Sequence, residues 1–315
     1  MDSETQLFVG EALSNYGFAD GHPFSSDRQG AFWTEVKKRG LDKKVRLGAP
    51  RGATREELLR FHDDAHLQWV QRCSKEGRGY VDSGDTPAFP GVFEAGASIV
   101  GTALEGLRCI MAGEARRTFQ PIGGMHHARR DRAAGFCVFN DIGVVIDTLR
   151  QNHGIRRVAY VDIDVHHGDG VFYSYERDSD LIVVDIHEDG NTLYPGTGHA
   201  HETGRGGAQG TKLNIPMRPG ARDRDFFAAW ERAEEHLRRH ASEFIILQAG
   251  ADGLAGDPLA HLCYTCAVHA HAAARLIKLA GESSGGRIMV FGGGGYDLSN
   301  IAEAWTAVLQ EMATP

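Results

Sequence analysis

Cysteines, long apolar runs and positive charge are all scarce in this chain of 315 residues. The five cysteines are odd in number and scattered, which argues against a disulfide framework. No stretch approaches the roughly 20 consecutive apolar residues that span a bilayer. The N-terminal segment MDSETQLFVG also lacks the basic and then apolar pattern of a secretory signal. We therefore expect a cytoplasmic protein with no membrane partner.

The shortage of positive charge leaves a formal net charge of −8, which argues against broad binding to nucleic acid. Low-complexity linkers and internal repeats are missing as well. The length allows one α/β domain with a large sheet or two smaller domains, and without a visible linker we expect residues 1–315 to form a single domain. Cys263 and Cys266 form a lone CxxC before an apolar helical run, which favours a structural over a redox or metal role.

The apolar pattern changes along the chain. The first third is typical of helices, with helix-like spacing in REELLRFHDDAHLQWVQRC and FEAGASIVGTALEGLRCIMAG. From residue 156, four Val- and Ile-rich runs follow: RRVAYVDIDV, SDLIVVDIHE, EFIILQAGAD and RIMVFGGGGYD. Such runs suit strands buried on both faces, and amphipathic segments lie between them. The sequence predicts an α/β domain with a central, mainly parallel sheet and helices on both faces.

Chemically reactive side chains follow these predicted strands. Ligands of open parallel sheets bind beyond the carboxyl ends of the strands. Asp164 and His166 stand two residues apart, so on extended backbone both point to one face. With Asp252 from another strand end, they would hold a metal and leave coordination positions open, as catalytic zinc sites do. A buried polar network at the strand ends is the alternative.

Two histidines and a tyrosine could act beside such a metal. His126 and His127 adjoin in GGMHHARRDRAAGF, and Asp162 and Asp169 could orient their rings for proton transfer. Adjacent histidines on a surface loop are the plainer interpretation. Tyr296 follows four glycines, and its hydroxyl could stabilise an oxyanion. A phosphate-binding loop is less favoured, because GGGG lacks the spacing of known phosphate motifs.

Taken together, the motifs resemble the zinc-dependent histone deacetylase superfamily, which has the arginase/deacetylase fold. They are most similar to the bacterial acetoin-utilisation type and to class I-like enzymes. The segments that carry the resemblance are GGMHHARRDRAAGFCVFND, VAYVDIDVHHGDGV, LYPGTG, QAGADGLAGDPL and FGGGGYDL. The resemblance runs from GFADGHPFSSDR to AEAWTAVL and implies removal of an acetyl or short acyl group from the ε-amine of acyl-lysine in proteins or peptides.

The resemblance also implies individual roles. The zinc ligands would be Asp164, His166 and Asp252, and iron(II) would suit the same donors. His127 would act as general base and then acid, with His126 as its electrostatic partner. Asp162 and Asp169 would pair with the two histidines, and Tyr296 would polarise the substrate carbonyl. A structural potassium ion would be bound by carbonyls of Asp162, Asp164, His166 and Ile186 and by the side chain of Asp185.

The substrate site is implied in the same way. The expected substrate-binding residues are Asp85, Met125, Gly135, Phe136, Tyr194, Leu259 and Gly294. Phe136 and Tyr194 would wall the acyl-lysine tunnel, Asp85 would hold the substrate backbone at the rim, and Arg28 would serve a channel for acetate release. Tyr194 and Met125 depart from the residues common at their positions, which leaves acyl-chain length open. Asp85, Glu188 and Asp189 predict an acidic rim that favours a cationic substrate.

Three other functions compete with a lysine deacylase. An acetylpolyamine amidohydrolase would use the same chemistry on a small acetylated diamine. An arginase-like hydrolase would need carboxylates bridging a second metal, and those available are better used by the histidine pairs. A non-catalytic acyl-lysine-binding protein is disfavoured by the intact set of catalytic residue types. The sequence leaves open the physiological substrate and whether the chain forms a homo-oligomer.

Overall fold

The computed structural model describes residues 4–19 and 21–314, and its described part contains one sheet of eight strands. The strands are β1 (Thr5–Phe8), β2 (Arg46–Gly48), β3 (Arg117–Gln120), β4 (Val158–Asp162), β5 (Leu181–Glu188), β6 (Lys212–Met217), β7 (Phe244–Gln248) and β8 (Ile288–Phe291). They are ordered β2-β1-β3-β8-β7-β4-β5-β6, and every neighbouring pair is parallel. The predicted parallel sheet is confirmed.

The described residues form ten α-helices, two of them a single turn long. These are α1 (Glu11–Ser14), α2 (Arg28–Lys38), α3 (Arg55–Leu58), α4 (Asp64–Glu76), α5 (Val92–Met111), α6 (Asp141–His153), α7 (Asp169–Ser174), α8 (Asp223–His240), α9 (Ala267–Ser283) and α10 (Leu298–Met312). Short 3₁₀ turns occur at Leu41–Lys43 and Gly206–Ala208. None of the described helices combines the length and apolarity needed to cross a membrane.

The core lies on both sides of the central strands. Every residue of β4, β5, β7 and β8 is buried, which is the pattern of strands covered on both faces. Helix α5 packs on α6 and β3, while α10 packs on α2 and α9. The continuous Val and Ile runs therefore form the middle of the sheet, where β-branched side chains pack well.

The strand register brings the chemically reactive segments to one edge. Asp162, the last residue of β4, lies opposite Asp185 of β5 and Gln248 of β7. Gln248 in turn lies opposite Phe291, the last residue of β8. The chain leaves β4, β7 and β8 at the same level, so the loops that follow them meet beyond the carboxyl edge of the sheet.

The helix predicted over REELLRFHDDAHLQWVQRC is interrupted in the structure. Helix α3 ends at Leu58 and α4 begins at Asp64. Asp63 has an extended backbone (φ −74°, ψ 148°), and its N–H donates to the carbonyl of Arg130 at 2.8 Å. This long-range hydrogen bond replaces a helical one, which the local spacing of leucines does not reveal. The prediction of a helical first third also missed the short strands β1 and β2.

Candidate active site

Three side chains that could bind a metal converge beyond the carboxyl edge of the sheet. Asp164 and His166 follow β4, and Asp252 follows β7. One potential ligand atom from each lies within 4.8 Å of the others, and all three residues are buried. Within the residues that the structure describes, this is the one group of histidine, cysteine or acidic side chains arranged in this way.

The ligand atoms are held in place by hydrogen bonds. His166 Nδ1 lies 3.1 Å from both Asp164 Oδ1 and Asp252 Oδ2. The other oxygen of Asp164 accepts from Gln248 Nε2 at 2.7 Å and from the Gly294 N–H at 2.8 Å. The other oxygen of Asp252 accepts from the Val165 N–H at 3.0 Å. Outer contacts of this kind orient metal ligands in proteins.

Charge is concentrated in this cluster. Burial raises the pKa of the Asp252 carboxyl to about 7, and the neighbouring Asp164 carboxylate adds to the effect. Burial lowers the pKa of His166, but its hydrogen bonds to Asp164 and Asp252 outweigh burial and raise the pKa to about 10. Two carboxylates so far from water require positive charge nearby. A divalent cation would supply it and would suit two oxygen donors and one nitrogen donor.

Two histidine–aspartate pairs lie next to the cluster. His126 Nδ1 is 2.8 Å from Asp162 Oδ2, and His127 Nδ1 is 2.8 Å from Asp169 Oδ1. The two imidazole rings are 4.1 Å apart between centroids, and all four residues are buried. A carboxylate at Nδ1 fixes the tautomer and leaves Nε2 free. His126 Nε2 lies 3.9 Å from Asp164 Oδ1, so this free edge faces the candidate metal site.

The two pairs differ in their electrostatics. Burial raises the pKa of the Asp169 carboxyl, but hydrogen bonds from His127 and from Arg129 at 2.7 Å outweigh it and lower the pKa to about 2. Burial and the neighbouring His126 lower the pKa of His127 to about 4. At neutral pH His127 is therefore a neutral imidazole oriented by an ionised carboxylate, which suits a proton acceptor.

The second carboxylate, Asp162, has a different environment. Burial raises its pKa well above the usual range, and the charges of Asp185 and Asp164 act in the same direction. The hydroxyl of Tyr160 donates to the same oxygen of Asp162 that pairs with His126. Asp162 therefore belongs to a second concentration of buried negative charge, on the side of β5.

Asp185 and Ile186, predicted to bind potassium, lie on β5 beside Asp162. Asp185 Oδ2 accepts from the Gly168 N–H at 2.9 Å, and Asp185 Oδ1 lies 2.6 Å from His187 Nδ1. Both predicted residues are almost completely buried. The carboxylates of Asp162, Asp164 and Asp185 thus share one dry region, where a monovalent cation would fit electrostatically. Potassium binding itself stays a prediction.

Tyr296 is positioned by an aspartate that sequence analysis did not single out. Its backbone N–H donates to Asp257 Oδ2 at 2.8 Å, and Asp257 Oδ1 accepts from the Leu259 N–H at 3.0 Å. Asp257 thereby ties the glycine-rich segment after β8 to the segment that carries Leu259. Burial, with the charges of Asp252 and Asp164, raises the pKa of the Tyr296 phenol well above its usual value. The hydroxyl stays protonated and can donate a hydrogen bond.

Aromatic side chains surround the approach to this site. The ring of Tyr194 lies 5.1 Å from that of His127, nearly perpendicular to it. The ring of Phe136 lies 5.8 Å from that of Tyr296. Tyr194 is 44% exposed, whereas Phe136 is partly buried, so the predicted tunnel walls differ in their contact with solvent. Asp85 is exposed and lies on the loop before Thr86.

Two predicted substrate-binding glycines permit close packing around the reacting groups. A Cβ at Gly294 would lie 2.2 Å from Asp252 Oδ2, too close for any side chain. Gly135 has a φ of +54°, and a Cβ there would lie 2.5 Å from the His127 ring. Both positions require glycine because the Asp252 carboxylate or the His127 ring occupies the space of the side chain.

Arg28 lies below the glycine run, at the start of α2, and is completely buried. Its Nε and Nη2 donate to the carbonyls of Gly295 and Gly293 at 2.9 and 2.5 Å, and the guanidinium stacks 3.9 Å from the Phe24 ring centroid. Its Nη1 has no hydrogen-bond partner within the described part of the chain. Its neighbours Phe24 and Gly293 line a small cavity together with Met125 and Tyr296.

The expected acidic rim is only partly present. Glu188 is buried, and its carboxylate accepts from the His261 N–H at 2.9 Å and lies 2.8 Å from His261 Nδ1. The prediction that Glu188 adds negative charge at the entrance is therefore wrong, because its carboxylate joins the end of β5 to the loop that carries His261. Burial and the nearby Asp82 raise the pKa of the Asp85 carboxyl to about 7. This lowers the negative charge that Asp85 adds to the rim at neutral pH.

Asp141 is a further supporting residue that the sequence did not reveal. It is fully buried at the start of α6, and its carboxylate accepts from the backbone N–H groups of Gly124 and Met125, each at 2.8 Å. Burial raises the pKa of this carboxyl to about 6. These hydrogen bonds fix the segment immediately before His126. The FND sequence at this point carried the signal, since an acid at the first position of a helix is favourable.

Comparison with known proteins agrees with this arrangement. The family model described as the histone deacetylase domain matches residues 22–312. The acetoin utilization protein AcuC of Bacillus subtilis is 34% identical over 310 residues, which cover 96% of this chain and 80% of AcuC. Histone deacetylase RPD3 of Saccharomyces cerevisiae is 31% identical over 311 residues, covering 95% and 69%. The crystal structure of the HDA15 HD domain superposes with a TM-score of 0.91 at 28% identity, covering 99% of this chain and 89% of that one.

Proposed function

The chain belongs to the histone deacetylase domain family, and on this premise we propose that it is a zinc-dependent deacetylase of acyl-lysine in proteins or peptides. Its reaction would remove an acetyl or short acyl group from the ε-amine by hydrolysis. The observation that carries the proposal is the buried convergence of Asp164, His166 and Asp252 beside two histidine–aspartate pairs. The three-residue cluster would bind a metal and leave a coordination position for substrate or water, and the histidine–aspartate pairs would transfer protons.

The donor set fits zinc, and iron(II) would accept the same ligands. Bound there, the metal would polarise the substrate carbonyl and make water a stronger nucleophile at neutral pH. A potassium ion would be bound by carbonyls of Asp162, Asp164, His166 and Ile186 and by the side chain of Asp185. Its positive charge would offset the carboxylates of the neighbouring strands.

The residues of this chain would carry out the remaining steps. Phe136 and Tyr194 enclose the methylene groups of the acylated side chain and exclude water from it. The Tyr296 hydroxyl donates to the carbonyl oxygen, whose negative charge grows as water attacks. His127 accepts a proton from the attacking water and, oriented by Asp169, gives a proton to the leaving amine. His126, paired with Asp162, would act as the electrostatic partner of His127.

The acid product would leave on the side of Arg28. The unpaired Nη1 of this buried guanidinium offers a donor to a carboxylate such as acetate. Met125 lines the small cavity that is also lined by His127 and Tyr296. Its flexible thioether side chain can adapt to acyl groups of somewhat different size.

Asp85 at the entrance favours a peptide over a small diamine, because a carboxylate can accept hydrogen bonds from backbone N–H groups that a diamine lacks. We expect kcat/KM to be higher for an acetyl-lysine peptide than for an acetylated diamine. Asp85→Ala should lower kcat/KM for the peptide by about 10-fold, which corresponds to one hydrogen bond to a charged group. It should lower kcat/KM for the diamine less, because the diamine offers only its exposed ammonium group to the carboxylate and no backbone N–H groups.

The matched control is Asp131→Ala, because Asp131 is an exposed acid that pairs with Arg132 at 3.0 Å. This variant should leave kcat/KM unchanged for both the peptide and the diamine. Faster hydrolysis of the diamine would identify an acetylpolyamine amidohydrolase. Binding of the acyl-lysine peptide to metal-loaded protein without turnover would identify an acyl-lysine-binding protein and contradict the proposal.

A further inference from the structure

The predicted tunnel wall Phe136 lies in an unusual turn. Ala134 and Cys137 exchange two backbone hydrogen bonds, of 3.1 and 2.9 Å, across a two-residue loop. The loop residues Gly135 and Phe136 have φ values of +54° and +67°. Positive φ at both central residues is what a type I′ turn needs, and its second position normally favours glycine. Phenylalanine there has a strained backbone.

Both polar groups of the Phe136 backbone are bonded to side-chain hydroxyls. Its carbonyl accepts from the Tyr16 hydroxyl at 2.6 Å, and the same hydroxyl accepts from the Val138 N–H at 3.0 Å. The Phe136 N–H donates to Thr86 Oγ1 at 3.0 Å. Tyr16 and Thr86 are buried, with exposures of 1% and 0%. Water therefore offers no easy substitute for either contact.

Thr86 also joins the turn to the rim loop. Its hydroxyl donates to Asp82 Oδ2 at 2.5 Å. Asp82 Oδ1 accepts from the backbone N–H groups of Gly84, Asp85 and Thr86, at 3.0, 3.1 and 2.9 Å. Burial raises the pKa of Asp82, but hydrogen bonds with the Asp85 side chain, the Thr86 hydroxyl and these backbone N–H groups outweigh it and lower the pKa to about 2, so Asp82 is an ionised anchor. The loop that carries Asp85 and the turn that carries Phe136 thus share one hydroxyl group.

The Phe136 ring depends on this backbone conformation. It lies edge-on to the rings of His22 and Tyr296, with centroids 4.6 and 5.8 Å away. A relaxed turn would rotate the Cα–Cβ bond and carry the ring away from these neighbours. The two hydroxyl contacts are therefore placed to keep the ring at the tunnel.

We propose that Tyr16 and Thr86 are positioning residues that hold Phe136 in its left-handed conformation and so set the grip of the tunnel on the acylated chain. The assignment of Phe136 as a tunnel wall rests on the proposed function. The conformational part, that the hydroxyls stabilise a strained turn, does not. Loss of either hydroxyl should weaken binding along the tunnel while the chemistry at Tyr296 and His127 continues.

The kinetic test uses Tyr16→Phe and Thr86→Val. Each should raise KM for an acetyl-lysine peptide by roughly 5- to 10-fold, the effect of one lost hydrogen bond, with kcat changed less than about twofold. The affinity for a hydroxamate whose alkyl linker fills the tunnel should fall by a similar factor. The affinity for acetohydroxamate, which is too short to reach Phe136, should stay unchanged. Thr86→Ser retains the hydroxyl and should restore KM.

Tyr175→Phe is the matched control for loss of a buried tyrosine hydroxyl. The Tyr175 hydroxyl contacts the Gly143 carbonyl at 3.0 Å and Asp147 at 2.8 Å. This variant should lower Tm without changing KM or the ratio of the two hydroxamate affinities. Equal weakening of both hydroxamates in Tyr16→Phe, or a fall in kcat alone, would overturn the positioning role.

A double-mutant cycle that combines Tyr16→Phe with Phe136→Gly tests the strained turn through Tm values alone, without an activity measurement. Glycine adopts positive φ without strain, so beside Phe136→Gly the loss of the Tyr16 hydroxyl should cost its full hydrogen-bond energy and lower Tm by a few degrees. In the natural chain, relaxation of the strained turn returns part of this cost, so Tyr16→Phe should lower Tm clearly less than it does beside Phe136→Gly. Equal shifts in both backgrounds would contradict the clamp. An inactive natural enzyme with unequal shifts would contradict the proposed function and leave the clamp supported.

Discussion

Replacing His127 by alanine is expected to lower kcat by about 10²- to 10⁴-fold, the usual contribution of a positioned general base and acid. The reason is the geometry at this ring, where Nδ1 bonds to Asp169 at 2.8 Å and Nε2 remains free. Its pKa of about 4 without a cation leaves a neutral imidazole at neutral pH. Steady-state kinetics on an acetyl-lysine peptide, at matched bound zinc, would measure the effect.

His66→Ala is the control for loss of a buried histidine. His66 Nε2 lies 2.9 Å from the Val138 carbonyl, and the residue plays no part in the proposed reaction. Its replacement should cost stability, with kcat of the folded protein within a few-fold of the natural value. If His127→Ala retained more than a tenth of the natural kcat, the proton transfer would belong to another group, with His126 as the next candidate.

Removing only the hydroxyl of Tyr296, by Tyr296→Phe, is expected to lower kcat by about 10²- to 10³-fold, as loss of one oxyanion donor does. The Asp257 contact to the backbone N–H survives this change, so the ring should keep its position. KM should change little, because the hydroxyl bond strengthens mainly as charge develops on the carbonyl oxygen. Kinetics and the zinc content of the variant would be compared with those of the natural protein.

Tyr264→Phe provides the comparison for this second variant. Tyr264 is buried, and its hydroxyl has no hydrogen-bond partner in the part of the chain described by the structure. Loss of that hydroxyl should leave kcat unchanged. A Tyr296→Phe enzyme with near-natural kcat would remove Tyr296 from the oxyanion site and leave the metal as the main stabilising group.

The central strands were the most predictable part of the fold. Continuous Val and Ile runs in β4, β5, β7 and β8 report burial on both faces, which is a local signal. The short strands β1, β2 and β3 carry three or four residues each, too few to show a pattern. The break before α4 depends on a bond between Asp63 and Arg130, which local spacing does not encode.

In the candidate site too, some features could be predicted from the sequence and others depend on long-range contacts. Asp164, His166 and Asp252 could be placed together because parallel strands bring their carboxyl ends to one edge. The partners of His126 and His127 could be proposed from the motif order, and the structure places all four residues in two pairs. The burial of the Glu188 carboxylate could not be foreseen, because its partner His261 lies 73 residues away on a loop.

Supporting residues were the least visible in the sequence. Tyr16 is 120 residues from Phe136, and nothing around it marks a functional role. Asp257 and Asp141 act through backbone N–H groups, so their partners leave no trace in residue identity. Strain at Phe136 is a backbone property that the sequence shows only as a glycine followed by an unexpected large residue.

The most direct test of the account is to strip the natural protein of metal and then titrate zinc while hydrolysis of an acetyl-lysine peptide is measured. We expect the stripped protein to be inactive, with activity rising in proportion to added zinc and levelling at one bound zinc per chain. This is the result that Asp164, His166 and Asp252 predict, since they form the one such buried group among the described residues. Full hydrolysis by verified metal-free protein, or none at any zinc level, would contradict the proposed zinc-dependent deacetylase.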